Sequence, residues 1–443
     1  MPAQARIQAN VAECHAQGLG SRFCGNDVGW SEIPATGMTR CRLCGAALRH
    51  SLVDLGTTPL ANALVTPEQA AYGPDPCWPL HVRVCAACLL AQVDTIVPPD
   101  TIFSDSYPYF SSVSAGWVAH ARAFASQMCA RFGFGAHSLV LEIASNDGYL
   151  LQHFAARGVP VRGIEPAAGV AAAAMARGIP TETAFFSEAF ARRLALRADL
   201  VVANNVLAHV PDLAGFVAGI VHVLAPDGIA SFEFPHLLRL IEGVQFDTIY
   251  HEHYSYLSLR VVEHVLTAAG LRAFDALELP THGGSLRVLA CRRGAPHAAQ
   301  PGLAAVRAQE RAAQLDSLAG YGGFAARVTA VQRGLAGFLA AARAAGRRVA
   351  AYGAAAKGCT LLNTSGVTAR DIACIADRSP AKQGKLLPGC RIPIVAPAAL
   401  LDAPPDDLLI LPWNIADEIA REMAALRDAG TRLRIAVPAL REV

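Results

Sequence analysis

The sequence predicts an α/β protein in three parts, and three observations predict it. Short apolar runs alternate with helical stretches over residues 104–290, beginning with Leu139–Ile143. The alternation returns over 347–443, where Arg348–Tyr352, Ile372–Ile375, Asp407–Leu411 and Leu433–Val437 are the strand candidates. Such alternation gives parallel sheets with helices on both faces. Ahead of both regions lie two Cys-x-x-Cys pairs, Cys41/Cys44 and Cys85/Cys88, among short strand-like runs and turn residues.

At 443 residues the chain exceeds one ordinary domain. The expected division is a poorly patterned extension over 1–37, a metal module over 38–100 and an α/β domain over 101–295. An Ala-, Arg- and Gln-rich helical connector follows over 296–345, then a second α/β domain over 346–443. Met38, directly before the first cysteine pair, is an alternative start that N-terminal sequencing of native protein decides.

Composition narrows the class. A hydrophobic fraction of 53% with 17% charge describes a core-rich, enzyme-like chain. A net charge of +2 argues against nucleic acid or a membrane surface as the main partner. No apolar run reaches spanning length, and residues 1–40 lack the apolar core of a secretory signal. A cytoplasmic location with reduced thiols is therefore expected. The partner is expected to be a small molecule, and the protein a monomer or small homo-oligomer.

Each Cys-x-x-Cys turn places two thiolates on one side of a tight loop, and two such loops complete a tetrahedron around zinc. Gly45 suits the turn behind the first pair, and 40 residues separate the pairs, so the site must span a subdomain. With Cys41, Cys44, Cys85 and Cys88 all bound, no coordination position stays open, which makes the metal structural. Unligated core thiols and a redox dithiol are the alternatives, and Cys77 is a weaker substitute ligand.

The segment Leu139–Gly148 runs from strand into turn and on into a helix expected over Tyr149–Ala156. Glu142, Ala144, Asn146 and Gly148 follow a pattern of an acidic residue and alternating small residues that lets a nucleoside lie close to backbone. Neither GxGxxG nor a Walker loop is present, so no phosphate contact is implied. Glu165 ends a second strand, Val161–Ile164, where a carboxylate can accept hydrogen bonds from ribose hydroxyls. A later strand, Asp199–Ala203, ends in Asn204 and Asn205. The three elements in order favour an S-adenosylmethionine site over a nicotinamide site.

The densest group of ionisable residues is Phe246–Tyr256, with Tyr250, His251, Glu252, His253, Tyr254 and Tyr256. It is not a zincin motif, because Ser255 stands where HExxH needs its second histidine. In an extended segment His251 and His253 would share one side, whereas in a loop they need not. Histidine is the usual proton acceptor near neutral pH. His209 follows the Asn204-Asn205 strand end, and Tyr107 and Tyr109 precede the first α/β domain as candidate covering aromatics. His282 and Arg287 lie in HGGSLR; no GxSxG nucleophile elbow accompanies it, which disfavours acyl hydrolysis. In Val349–Gly358, a strand ends in Tyr352 and leads through small residues to Lys357 at a helix start, an arrangement suited to a diphosphate. Close helix–strand packing with a solvated Lys357 is the alternative.

The ordered motifs CxxC…CxxC, EIASNDG, NNVLAHV, YHEHYSY, HGGSLR and YGAAAKG resemble the sugar C-methyltransferases of deoxysugar pathways over about residues 40–440. The resemblance implies a class I methyltransferase domain of Rossmann-like fold, a small zinc-binding N-terminal domain and a second Rossmann-like C-terminal domain that binds sugar nucleotide. It implies His253 as general base, with Tyr250, Glu252, His209 and Tyr107 around the same pocket. It also implies cofactor contacts from Glu165 and the Asn146 loop. His282, Arg287, Tyr352 and Lys357 are the expected substrate contacts. Two positions depart from the pattern: Ala144 stands where many members carry glycine, and His251 where many carry an acid. The reaction implied is proton removal beside the ketone of a nucleotide-linked, expectedly dTDP-linked, 4-keto-deoxysugar, then carbon methylation. O- or N-methylation of another molecule, and a non-catalytic sugar-nucleotide binder, are the competing readings.

Overall fold

The computed structural model describes residues 39–102 and 110–443. The expectations for residues 1–37, Met38, Tyr107 and Tyr109 lie outside the described residues. Three sheets account for the architecture. The first is antiparallel and joins His50–Pro59, Cys77–Val84 and Ala91–Val93 to a two-residue strand, Ser255–Tyr256, from far along the chain.

The second sheet has seven strands, in the order Leu271–Leu279, Ser285–Arg292, Leu224–Pro235, Ala198–Asn204, Val140–Ile143, Val161–Ile164, Thr181–Glu182. The last five are parallel. Chain direction across the sheet reverses at Val140–Ile143, which opens a crevice at the carboxyl ends of its neighbours. Leu271–Leu279 and Ser285–Arg292 pair antiparallel, unlike the wholly parallel sheet expected. Only residues 280–284 connect them, too few for the crossover that parallel strands need.

The third sheet follows the order Ile394–Val395, Ile375–Ala376, Val349–Tyr352, Asp407–Ile410, Arg432–Ile435, Arg441–Glu442, parallel except at its last pair. The strand expected at Ile372–Ile375 is observed at Ile375–Ala376, and the Ile372 amide is bonded back to the Thr368 carbonyl. The connector forms two helices, Pro301–Ala312 and Phe324–Ala344. The second buries Val328, Val331, Leu335 and Leu339, a spacing that keeps one face inward.

One continuous apolar core contains Leu52 and Val82 of the first sheet, Phe246 and Tyr254, the connector's Leu335, and Ile375 of the third sheet. Apolar burial therefore fixes the modules to each other, not merely each within itself. Segment 246–256 runs through this shared core.

Candidate active site

The loop after Val140–Ile143 places Ala144 at φ 52°, Asn146 at φ 51° and Gly148 at φ 78°. Alternating left-handed residues fold the chain tightly at the strand end, and two of them lack the glycine that such backbone favours. Strain held at one loop beside a crevice marks a site where geometry is needed more than stability. Glu165 stabilises the turn: its carboxylate accepts the backbone N–H of Asn146 at 3.0 Å and of Ala167 at 2.9 Å. Burial pushes the Glu165 carboxyl up, and these two amides pull it back.

Above this loop opens a cavity of about 460 Å³ lined by all three modules. Asn62 and Pro99 come from the first; Ala144, Asn146, Glu165, Asn204, Asn205, His209, Tyr250, Glu252, His253 and His282 from the second; Ala356, Lys357 and Lys382 from the third. Trp117, Tyr149 and Phe186 form apolar wall. The side-chain oxygens of Asn204 and Asn205 are buried without a donor among the described residues. Such acceptors await a donor-bearing ligand, which fits the ammonium of S-adenosylmethionine at this strand end, with Glu165 across the switch point for the ribose.

His253 is buried at the centre of its segment. Its Nδ1 lies 2.8 Å from the Thr248 carbonyl, an acceptor only, so Nδ1 carries the hydrogen and Nε2 the basic lone pair. The rings of Tyr250 and His209 lie 4.2 Å and 4.7 Å from it. Burial, then the neighbouring His209, holds the His253 imidazole well below the usual histidine range, with His282 and Lys357 adding to the effect. Burial likewise pushes His209 and His282 down to about 4. All three are neutral at pH 7. His209 Nδ1 donates to the Glu252 carbonyl at 2.7 Å, and Asn62 donates to the Glu252 carboxylate at 2.6 Å.

The C-terminal module holds the same segment. Trp413 donates its indole N–H to Asp247 at 2.7 Å and Thr360 donates to the Ile249 carbonyl at 3.0 Å, while within the second module Gln245 donates to the Gly283 carbonyl at 2.7 Å. Lys357 donates to Asn414 at 2.6 Å and lies 4.7 Å over the Trp413 ring. Burial lowers the Lys357 ammonium and raises the Asp247 carboxyl to about 6, while each stabilises the other's charged form. The helix that begins at Ala356 has no side-chain cap among the described residues, and the first amides of a helix have no intrahelical acceptor.

Several expected site residues stand elsewhere. His251 does not share a side with His253, because the chain turns there, His253 N–H donating to the Tyr250 carbonyl at 2.9 Å. The His251 ring instead meets the carbonyls of Trp78 and Pro79, each at 3.2 Å. Glu142 is buried beneath the cavity with its carboxyl raised by desolvation. Gly148 is outside the lining; a Cβ there would sit 3.0 Å from Ile179. Arg287 also lies outside it, since sheet register sets it opposite Glu233, which it binds at 2.6 Å. Tyr352 points to the far face of its sheet and donates to Glu422 at 2.9 Å.

Sequence reasoning missed Asn62, Trp117, Lys382 and Trp413. None belongs to a periodic pattern or dense cluster, although Asp247, the partner of Trp413, stood within the segment singled out.

The four cysteine sulfurs lie within 4.8 Å of one another, with Cys41–Cys88 at 3.5 Å and Cys44–Cys85 at 3.4 Å. Thiolates around zinc stand about 3.8 Å apart at the usual bond length, so the cluster fits that ion. Cys77 is not among them; its thiol meets the Asp75 carbonyl at 3.4 Å.

Comparison with known proteins completes the picture. The chain is 35% identical over 401 residues to the C-methyltransferase NovU of Streptomyces niveus, across 90% of this chain and 95% of that protein. The chain belongs to the C-methyltransferase family. Residues 41–103 of this C-methyltransferase match a zinc binding domain, 117–275 a methyltransferase domain and 280–438 a C-methyltransferase C-terminal domain. The enzyme is accordingly an S-adenosylmethionine-dependent methyltransferase with a zinc-binding N-terminal part.

Among solved structures, a magnesium protoporphyrin IX methyltransferase of Synechocystis PCC 6803 is 15% identical over 40% of this chain and 84% of its own, with a TM-score of 0.33. An amino pentose methyltransferase of Micromonospora echinaspora is 17% identical over 41% of this chain and 97% of its own, at 0.31. No helix among the described residues is long and apolar enough to cross a membrane.

Proposed function

We propose that this C-methyltransferase acts on the carbon beside the ketone of a nucleotide-linked 4-keto-deoxysugar, with dTDP as the nucleotide. The observation that carries this reading is His253, a neutral imidazole whose Nε2 lone pair is set by the bond from Nδ1 to Thr248, inside the cavity between Glu165 and Lys357.

Methylation at carbon needs a base, because the hydrogen beside a ketone must leave before the carbon becomes nucleophilic. His253 Nε2 takes that proton. The resulting enolate oxygen needs a hydrogen-bond donor. His209 is not suited to supply it: its one hydrogen is on Nδ1, engaged by Glu252, and its low pKa keeps the ring neutral. The Tyr250 hydroxyl, on a ring 4.2 Å from that of His253, and the Lys357 ammonium are cavity groups able to donate to the enolate oxygen. When bound, S-adenosylmethionine supplies an electrophilic methyl group, held by Glu165, Asn146, Asn204 and Asn205. Lys357, Lys382 and the first amides of the helix that begins at Ala356 suit a diphosphate. A bound dianion also offsets the Lys357 charge that depresses His253, so substrate strengthens the base that acts on it.

Mass spectrometry of products from dTDP-, GDP- and CDP-4-keto sugars tests this reading. A mass gain of one methyl group on a carbon of the dTDP sugar is expected. Methylation confined to oxygen or nitrogen of another acceptor overturns it.

A further inference from the structure

Arg42 sits inside the first cysteine turn, between Cys41 and Cys44. Its guanidinium leaves the metal module altogether. Nη1 donates to the Pro211 carbonyl at 3.0 Å, and Nη2 donates to the Tyr254 carbonyl and to Ser255 Oγ, the latter at 3.2 Å. Pro211 lies two residues beyond His209, and Tyr254 is the neighbour of His253. One planar group thus clamps the two chain segments whose histidine rings stand 4.7 Å apart.

A second link runs beside it through Gln92, which is fully buried. The Gln92 amide donates to Cys41 Sγ at 3.1 Å, and its oxygen accepts the Arg42 backbone N–H at 3.0 Å. In the sheet Gln92 stands opposite Ser255. Four thiolates around a divalent ion keep net negative charge, which favours a cation in the same turn. Hydrogen bonds to the cluster and from its own turn therefore converge on residues 254–256.

We infer that Arg42 is a positioning residue for methyl transfer: it clamps the His209 and His253 segments to the cysteine cluster, so that bound metal sets the placement of the base without touching the cavity. This rests on His253 being the base. Lysine at position 42 keeps the charge but gathers its donors on one nitrogen, in place of the fork that reaches Pro211 with one arm and Tyr254 and Ser255 with the other.

The test uses full-length, zinc-loaded wild type, R42K and R42A. Four quantities are read: zinc content, S-adenosylmethionine affinity by calorimetry, backbone amide exchange over residues 250–256 by mass spectrometry, and kcat with KM on the keto-sugar. R42K is expected to retain zinc and to bind S-adenosylmethionine within about twofold of wild type. It should exchange faster over 250–256 and lose about 10–100-fold in kcat, the scale of a misplaced reacting group. Chelation of zinc from the wild type should produce the same exchange signature. R42K carries the test if R42A fails to fold. Unchanged exchange over 250–256 with kcat within about twofold in R42K overturns the inference. So does a loss of zinc and stability with kcat per folded molecule preserved, the outcome of a purely structural role. If wild type turns over no keto-sugar, the substrate reading fails, and amide exchange still decides the place of Arg42.

Discussion

The Thr248 carbonyl accepts the Nδ1–H of His253 at 2.8 Å, so a backbone oxygen five residues upstream decides which imidazole nitrogen is basic. The first consequence is a pH profile. Burial and the cationic and imidazole neighbours hold the His253 pKa below the ordinary value of about 6.5. A base is competent above its pKa, so kcat/KM should stay flat as pH falls through neutrality and decline only in a limb below about 6.5. Stability follows the same sign. The unfolded chain takes up protons near that value while His209 and His282 resist to about 4, so stability present above 6.5 drains away as pH falls through this window. An acid limb centred above pH 7 in the rate profile contradicts the neutral-base assignment.

Glu165 holds the turn at Asn146 and faces the cavity with the same carboxylate. Gln at this position keeps only one oxygen acceptor for two amides and a ribose. S-adenosylmethionine binding by Glu165→Gln, measured calorimetrically, should weaken about 10–100-fold, the worth of one or two hydrogen bonds to a charged group. Affinity within twofold of wild type places the ribose elsewhere.

Gly283 meets the C-terminal module directly. It has φ 92°, and a Cβ there would lie 2.3 Å from Trp413 Cη2. Gly283→Ala should destabilise by about 1–3 kcal/mol in urea unfolding, part from backbone and part from the clash. The clash part should disappear in a Trp413→Ala background, giving a coupling of at least about 0.5 kcal/mol in a double-mutant cycle. Strict additivity shows that the two modules do not press together here.

The sequence carried the outline of the fold because parallel strands and their helices write long apolar alternations, as at Val161–Ile164, where expected and observed strands coincide. It carried the cysteine cluster because two tight turns can be recognised locally. What it could not carry was pairing between distant segments. Ser255–Tyr256 is a strand only because Ala91 and Gln92 stand beside it. Arg287 is removed from the cavity by register with Glu233, and Tyr352 by the alternation of strand faces, which sends Ala351 and Tyr352 into different cores. His251 and His253 part because a turn replaces the extended chain. Ala144 and Asn146 hide their left-handed backbone behind side chains that do not announce it.

Solvent deuterium wash-in at the carbon beside the ketone, with S-adenosylhomocysteine occupying the cofactor site so that no methyl can transfer, tests the role of His253 most directly. Wild type should exchange that hydrogen, and His253→Asn should slow the exchange about 10²–10⁴-fold while binding S-adenosylhomocysteine as before. Exchange by His253→Asn at the wild-type rate contradicts the account, because some other group then removes the proton.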